Sequence, residues 1–136
     1  MLRVIYGNQG MGKSRQMCAE ANEMVEKASG TVVFIDKDED HMYDLKRDIR
    51  FINAAEYRIA GKPMLYGFIA GIAARDFDLE AVFVNSFAKL IDSPVEELEE
   101  LFVNLDTFSD FAGFDIVISI NDGGASCPEF VKQYCF

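Results

Sequence analysis

Gly7-Asn8-Gln9-Gly10-Met11-Gly12-Lys13-Ser14 is the stretch on which the reading of this chain turns. It has the form G-x-x-x-x-G-K-[ST]. The apolar run Leu2-Arg3-Val4-Ile5-Tyr6 precedes it and a helical pattern follows. A phosphate-binding loop needs that order of strand, glycine-rich turn and helix. Glycines open backbone conformations closed to other residues, so successive N–H groups can converge on one anion. The positive end of the helix dipole adds to the attraction. In such a loop Lys13 reaches the β- and γ-phosphates as the catalytic cation, and the Ser14 hydroxyl ligates Mg²⁺. Gly7, Asn8, Gln9, Gly10, Met11, Gly12 and Arg15 complete the candidate nucleotide contacts. The dinucleotide fingerprint G-x-G-x-x-G does not fit, because the order here is G-x-x-G-x-G followed by lysine.

Outward from the loop, Met17, Ala21, Met24, Val25 and Ala28 form one apolar stripe and predict a helix over 13–28. Gly30 stands where a C-terminal cap belongs. Thr31-Val32-Val33-Phe34-Ile35 reads as a strand ending in Asp36. The acidic run before His41 predicts a short helix over about 39–48, with Met42, Leu45 and Ile49 inward. Residues 50–54 read as a short strand and 55–62 as an irregular connection. Helix 63–75 carries Gly67, Gly71 and Ala74 at helical spacing, a small-residue face suited to close packing. Leu79 to Asn85 reads as a buried strand. Ser93, Pro94 and Glu96 form a capping box that starts a helix running to Gly113, with Leu98, Leu101, Phe102, Leu105, Phe108 and Ala112 inward. Residues 115–120 read as a strand leading into Asn121-Asp122-Gly123-Gly124. The tail at 128–134 suits an edge strand or a last helical turn.

Strands alternate with helices throughout, which predicts an α/β fold: a three-layer α/β/α sandwich with a mainly parallel sheet of about five strands. The 136 residues imply one nucleotide-binding domain over 1–136. Ligands of parallel sheets bind at the carboxyl ends of strands. Asp36, Asn85-Ser86 and Asn121-Asp122 stand at those ends, and each residue type equally suits a strand-to-helix turn.

At these residues the chain resembles the P-loop NTPase superfamily, on 2–28 by motif and more loosely along its whole length. The resemblance implies ATP or GTP binding with Mg²⁺. Its second motif is an apolar strand ending in an aspartate that helps hold Mg²⁺. The matching position is Asn85, after Ala81-Val82-Phe83-Val84, so Ser14 and Asn85 are the candidate metal residues. Asp36 and Asp122 are the alternative carboxylates. In the branch with an added strand beside the phosphate-loop strand, a glutamate that activates water comes next; here it is Ser86. A polar residue such as Asn121 senses the γ-phosphate in that branch. Members of the superfamily complete their sites with an arginine from a partner, which implies a protein partner or a homo-oligomer.

Composition narrows the rest. A formal net charge of −10 and no basic run beyond Lys46-Arg47 with Arg50 weigh against nucleic-acid and membrane-surface binding. No apolar run reaches the roughly 18 residues of a membrane span, and no leader-like segment opens the chain. Cys18, Cys127 and Cys135 form no CxxC pair and read as thiols of a reducing cytoplasm. A Cys127–Cys135 disulfide is the minor alternative. The lone His41 reads as a solvated cap, and no Cys/His cluster marks a zinc site. Arg15, Arg47, Arg50, Arg58 and Arg75 are candidate phosphate contacts, with Arg58 and Lys62 placed for a lid. Three functions follow: an ATPase with slow or partner-dependent hydrolysis, a small-molecule phosphotransferase, and a nucleotide-binding regulatory module without turnover. The absence of a guanine-reading Asn/Thr-Lys-x-Asp motif leans toward ATP.

Overall fold

The computed structural model describes residues 1–7, 12–121 and 126–136. Asn8, Gln9, Gly10 and Met11 of the loop, and Asp122 with Gly123 and Gly124, lie outside the described residues. Five strands form one parallel sheet: β1 (Leu2–Gly7), β2 (Thr31–Asp36), β3 (Arg50–Asn53), β4 (Leu79–Val84) and β5 (Asp115–Asn121). Their spatial order is β1-β5-β4-β2-β3, and every pairing is parallel. The expected α/β fold with a five-stranded sheet is therefore the observed one.

Connection direction fixes the layers. The step from β1 to β2 crosses the sheet one way through α1 (Lys13–Lys27). The steps β3 to β4 through α2 (Lys62–Arg75), and β4 to β5 through α3 (Phe87–Ile91) and α4 (Glu99–Ala112), return the other way. Right-handed crossovers of opposite direction cover opposite faces. Strand alternation separates the two cores accordingly. Val32, Phe34, Ala81, Phe83 and Val117 pack with Met17, Cys18 and Ala21 of α1. Val33, Ile35, Val82, Val84, Ile116 and Ile118 pack with Leu65 and Ile69 of α2 and Leu101, Phe102 and Leu105 of α4. Buried on both faces, the central strands read as continuous apolar runs rather than alternating ones.

Several local expectations are corrected. Helix 39–48 is reduced to a 3₁₀ turn at Met42–Asp44. The reason is on α1: Asn22 donates to the Asp44 carbonyl at 2.9 Å and accepts from the Lys46 N–H at 2.8 Å. Its amide holds backbone groups that a helix would have used itself. The Ser93 capping box does not form. Pro94 is extended (ψ 148°), Val95–Glu97 make a 3₁₀ turn, and α4 begins at Glu99 without a side-chain cap. Ser93 Oγ instead donates to the Ile91 carbonyl at 3.3 Å. Gly113, in the left-handed region at φ 81°, does end α4, its N–H bonded to the Ser109 carbonyl at 2.8 Å.

Gly30 is not a helix cap, since Ala28 already ends α1 in an extended conformation. It serves close approach: a Cβ there would lie 1.9 Å from the Asp78 carbonyl oxygen. Gly67 and Gly71 face open space rather than a packed neighbour. Leu65 and Ile69 bury α2 instead. The tail is a short helix, α5 (Glu129–Lys132), and its Tyr134 carbonyl accepts the Val4 N–H at 2.8 Å, covering the outer edge of β1. All three cysteines are free thiols. Among the described residues no helix is long and apolar enough to cross a membrane.

Candidate functional site

The N-terminus of α1 meets the carboxyl ends of β2, β4 and β5 around a cavity of about 750 Å³. Its lining includes Gly12, Lys13, Ser14 and Arg15 from the loop and helix start, and Asp36, Ser86 and Asn121 from the strand ends. Gly12 sits at φ 76°, a left-handed conformation that favours glycine. Its carbonyl accepts the Gln16 N–H at 2.9 Å, so the helix begins directly behind it. Register places Asn121 beside Gly7. The strand expected beside the phosphate-loop strand is β5, and it separates β1 from β4.

One hydrogen-bonded network ties the site together. Asn85 Nδ2 donates to Ser14 Oγ at 3.0 Å and to Asp36 Oδ2 at 3.1 Å. Ser119 Oγ donates to Asn85 Oδ1 at 2.6 Å and accepts the Ser86 N–H at 3.1 Å. The Lys37 N–H donates to Asp36 Oδ1 at 2.7 Å. An ionised carboxylate only accepts, so the Asn85 amide must turn its nitrogen toward Asp36 and its oxygen toward Ser119. Asp36 is 1% exposed and Asn85 2%. Burial pushes the Asp36 carboxyl above its ordinary value, while the Asn85 and Lys37 hydrogen bonds pull it back. Burial also lowers the Lys13 ammonium, which is 6% exposed. Among the described residues no buried side-chain nitrogen or oxygen lacks a partner.

Charge is segregated. The chain carries a net −10, yet Lys13, Arg15, Lys37 and Lys89 line the cavity, against the carboxylates Asp36 and Asp44. A concave wall of that sign concentrates an anion. Lys37 is itself held by Asp38, with Nζ 2.8 Å from Oδ2. Ser86, at φ 56°, holds a strained left-handed turn between β4 and α3.

Of the five candidate arginines only Arg15 lines the cavity. Arg47, Arg50, Arg58 and Arg75 do not. Arg58 closes a 3₁₀ turn at φ 54°, and Lys62 Nζ donates to the Glu97 carbonyl at 3.2 Å, which places the expected lid pair elsewhere. Sequence reasoning missed Ser119, whose signal was a polar residue in the middle of an apolar central strand. It also missed Lys89 on α3, a helix signalled only by Phe87, Leu90 and Ile91 at helical spacing.

The fold also brings together residues that the sequence keeps apart. Cys18, His41 and Asp44 come together on the cavity wall, with ligand atoms all within 4.8 Å of one another. Burial, then Asp44 and Asp36, push the Cys18 thiol up to about 11.

No family model matches this chain, and no curated protein matches it. Among solved structures it is similar to the flagellar accessory protein FlaH from Methanocaldococcus jannaschii, with TM-score 0.57 and 14% sequence identity over 97% of this chain. The chain spans 65% of that protein's length. The likeness shows the fold, an α/β architecture built on a parallel sheet.

Proposed function

We propose that residues 1–136 form one nucleotide-binding domain that holds a Mg²⁺–nucleoside triphosphate, ATP in the first instance. Hydrolysis is slow or depends on a partner. The observation that carries this reading is the Ser14–Asn85–Asp36 network on the floor of a cation-lined cavity. Gly7, Asn8, Gln9, Gly10, Met11 and Gly12 supply backbone N–H groups to the phosphates. Lys13 and Arg15 supply charge.

The donor set suits Mg²⁺, a hard cation bound through oxygens with several waters retained. Bound there, the ion neutralises phosphate charge. Ser14 Oγ accepts from Asn85 and keeps a second lone pair for the ion. Asp36 would supply the carboxylate that the end of β4 lacks. Asn85 acts at the metal as a positioning residue: its amide holds the hydroxyl and the carboxylate in one place. The carboxylate of this site has in effect moved one strand over, from β4 to β2.

Turnover is a different matter. Ser86 stands where a water-activating carboxylate belongs, and neither its hydroxyl nor the Asn85 amide takes a proton from water at neutral pH. A protein partner or a second copy of the chain has to supply the missing group. A regulatory module without turnover is the second reading, favoured by the same Asn85-Ser86 pair. The test is a calorimetric titration with ATP, GTP, ADP and GDP, with and without Mg²⁺, followed by phosphate-release assays. Triphosphate binding strengthened at least about tenfold by Mg²⁺, roughly 1.4 kcal/mol, is the expected result. No binding of any nucleotide at millimolar concentration would overturn the assignment. Binding without release, in monomers and at high protein concentration alike, would select the second reading.

A further inference from the structure

We propose that the Cys18 thiolate, the His41 imidazole and the Asp44 carboxylate bind a divalent transition metal of the zinc class on the cavity wall, apart from the Mg²⁺ position. Cys18 lies on α1, while His41 precedes and Asp44 ends the 3₁₀ turn that follows β2. Their ligand atoms all lie within 4.8 Å of one another, and His41 Nδ1 is 3.4 Å from Asp44 Oδ2. Thiolate, imidazole and carboxylate are the three ligand types of zinc. Three protein ligands leave a fourth position open to water.

The cluster is held from behind. Asn22 lies one turn beyond Cys18 on α1, and its amide fixes the backbone on both sides of Leu45, at the Asp44 carbonyl and the Lys46 N–H. Lys46 is further ion-paired to Glu26 of the same helix. Such outer contacts orient the ligands that carry the metal. His41 and Asp44 are half-exposed and exposed, so their side chains are free to draw inward by the ångström or so that metal–ligand bonds of about 2.0–2.3 Å require. Cys18 is fixed in an apolar cluster with Met17, Ala21, Val32 and Phe34. Softness separates the two metal positions: a thiolate selects zinc-class ions, whereas the oxygens around Ser14 suit Mg²⁺. On binding, the Cys18 sulfur–hydrogen bond breaks, its proton passes to solvent and the sulfur lone pair bonds the metal; no oxidant or reductant takes part.

The test uses the whole chain carrying Cys127→Ser and Cys135→Ser, so that Cys18 is the sole thiol, under a phosphine reductant and with no nucleotide. Titration with Co²⁺ is expected to give a thiolate-to-cobalt charge-transfer band and tetrahedral d–d absorption saturating at one equivalent. Zn²⁺ should displace the ion. His41→Ala and Asp44→Ala, both at solvent-accessible positions, should each weaken Co²⁺ binding at least tenfold, and Cys18→Ser should remove the charge-transfer band. Absence of that band in the parent double variant, or unchanged affinity in His41→Ala, would overturn the proposal. Because no nucleotide is added, neither result depends on the triphosphate site.

Discussion

Replacing Lys13 by alanine is expected to weaken Mg²⁺–ATP binding at least about a hundredfold, roughly 2.7 kcal/mol, without unfolding the protein. Lys13 is the first residue of α1 and is buried in the cavity wall. A charge-assisted hydrogen bond contributes about 1.5–3 kcal/mol, and an ammonium between two phosphates makes more than one. Its removal leaves the ligand's charge facing backbone N–H groups and the more peripheral cations of the cavity wall, Arg15 among them. Stability should respond differently. Burial lowers the Lys13 ammonium in the folded state, so the fold holds this charge at a cost that alanine removes. The variant should melt within a few degrees of the parent while binding is lost. Titration calorimetry and thermal melting on the same samples check both halves. Binding within threefold of the parent would remove Lys13 from the site.

The second large effect is expected from Asn85→Asp. The Asn85 amide nitrogen lies 3.1 Å from one Asp36 oxygen and 3.0 Å from Ser14 Oγ. An aspartate in its place has no N–H to donate and sets two buried carboxylates side by side. Like charges at that distance cannot both ionise freely, and one pKa rises. A rise of about two units corresponds to roughly 2.7 kcal/mol at neutral pH. The sign follows from linkage: a carboxyl raised in the folded state penalises folding above its unfolded value of about 4, and the penalty vanishes as pH falls below it. The variant should therefore melt well below the parent at pH 7 without Mg²⁺, and close to it near pH 3.5. Mg²⁺ with ATP should restore much of the loss, because the ion replaces the missing donor. Equal melting at pH 7 in the absence of Mg²⁺ would mean that Asp36 is not an ionised neighbour of position 85. The transfer of the metal-side carboxylate to β2 would fall with it.

The strands were legible because their signals are local: β2, β4 and β5 each read as an apolar run within a residue of their observed ends. The Asn85–Asp36 pairing was not legible. The two residues are 49 apart in the chain, and they meet only because β2 lies beside β4, which is a property of strand order. The Cys18–His41–Asp44 cluster was hidden for a related reason. It depends on a loop whose path is set by Asn22, and local propensity favoured a helix there. At Ser93 the pattern misled: the capping box has the right letters, but Pro94 remains extended and the helix waits for Leu98. A five-residue helix such as α3 is too short for periodicity to declare it.

The two cores described above differ in size. Among the described residues, the α2–α4 side has 26 buried residues in its cluster and the α1 side has 9. The layer that presents Lys13 and Ser14 is thus the less firmly anchored one. Partial unfolding that detaches α1 is therefore expected to cost less than opening the α4 side. A ligand bridging the helix start to the strand ends opposes that release directly. Its binding energy then appears as kinetic protection of one helix: amide exchange in α1 should slow on adding Mg²⁺–ATP, while α4 exchange changes little.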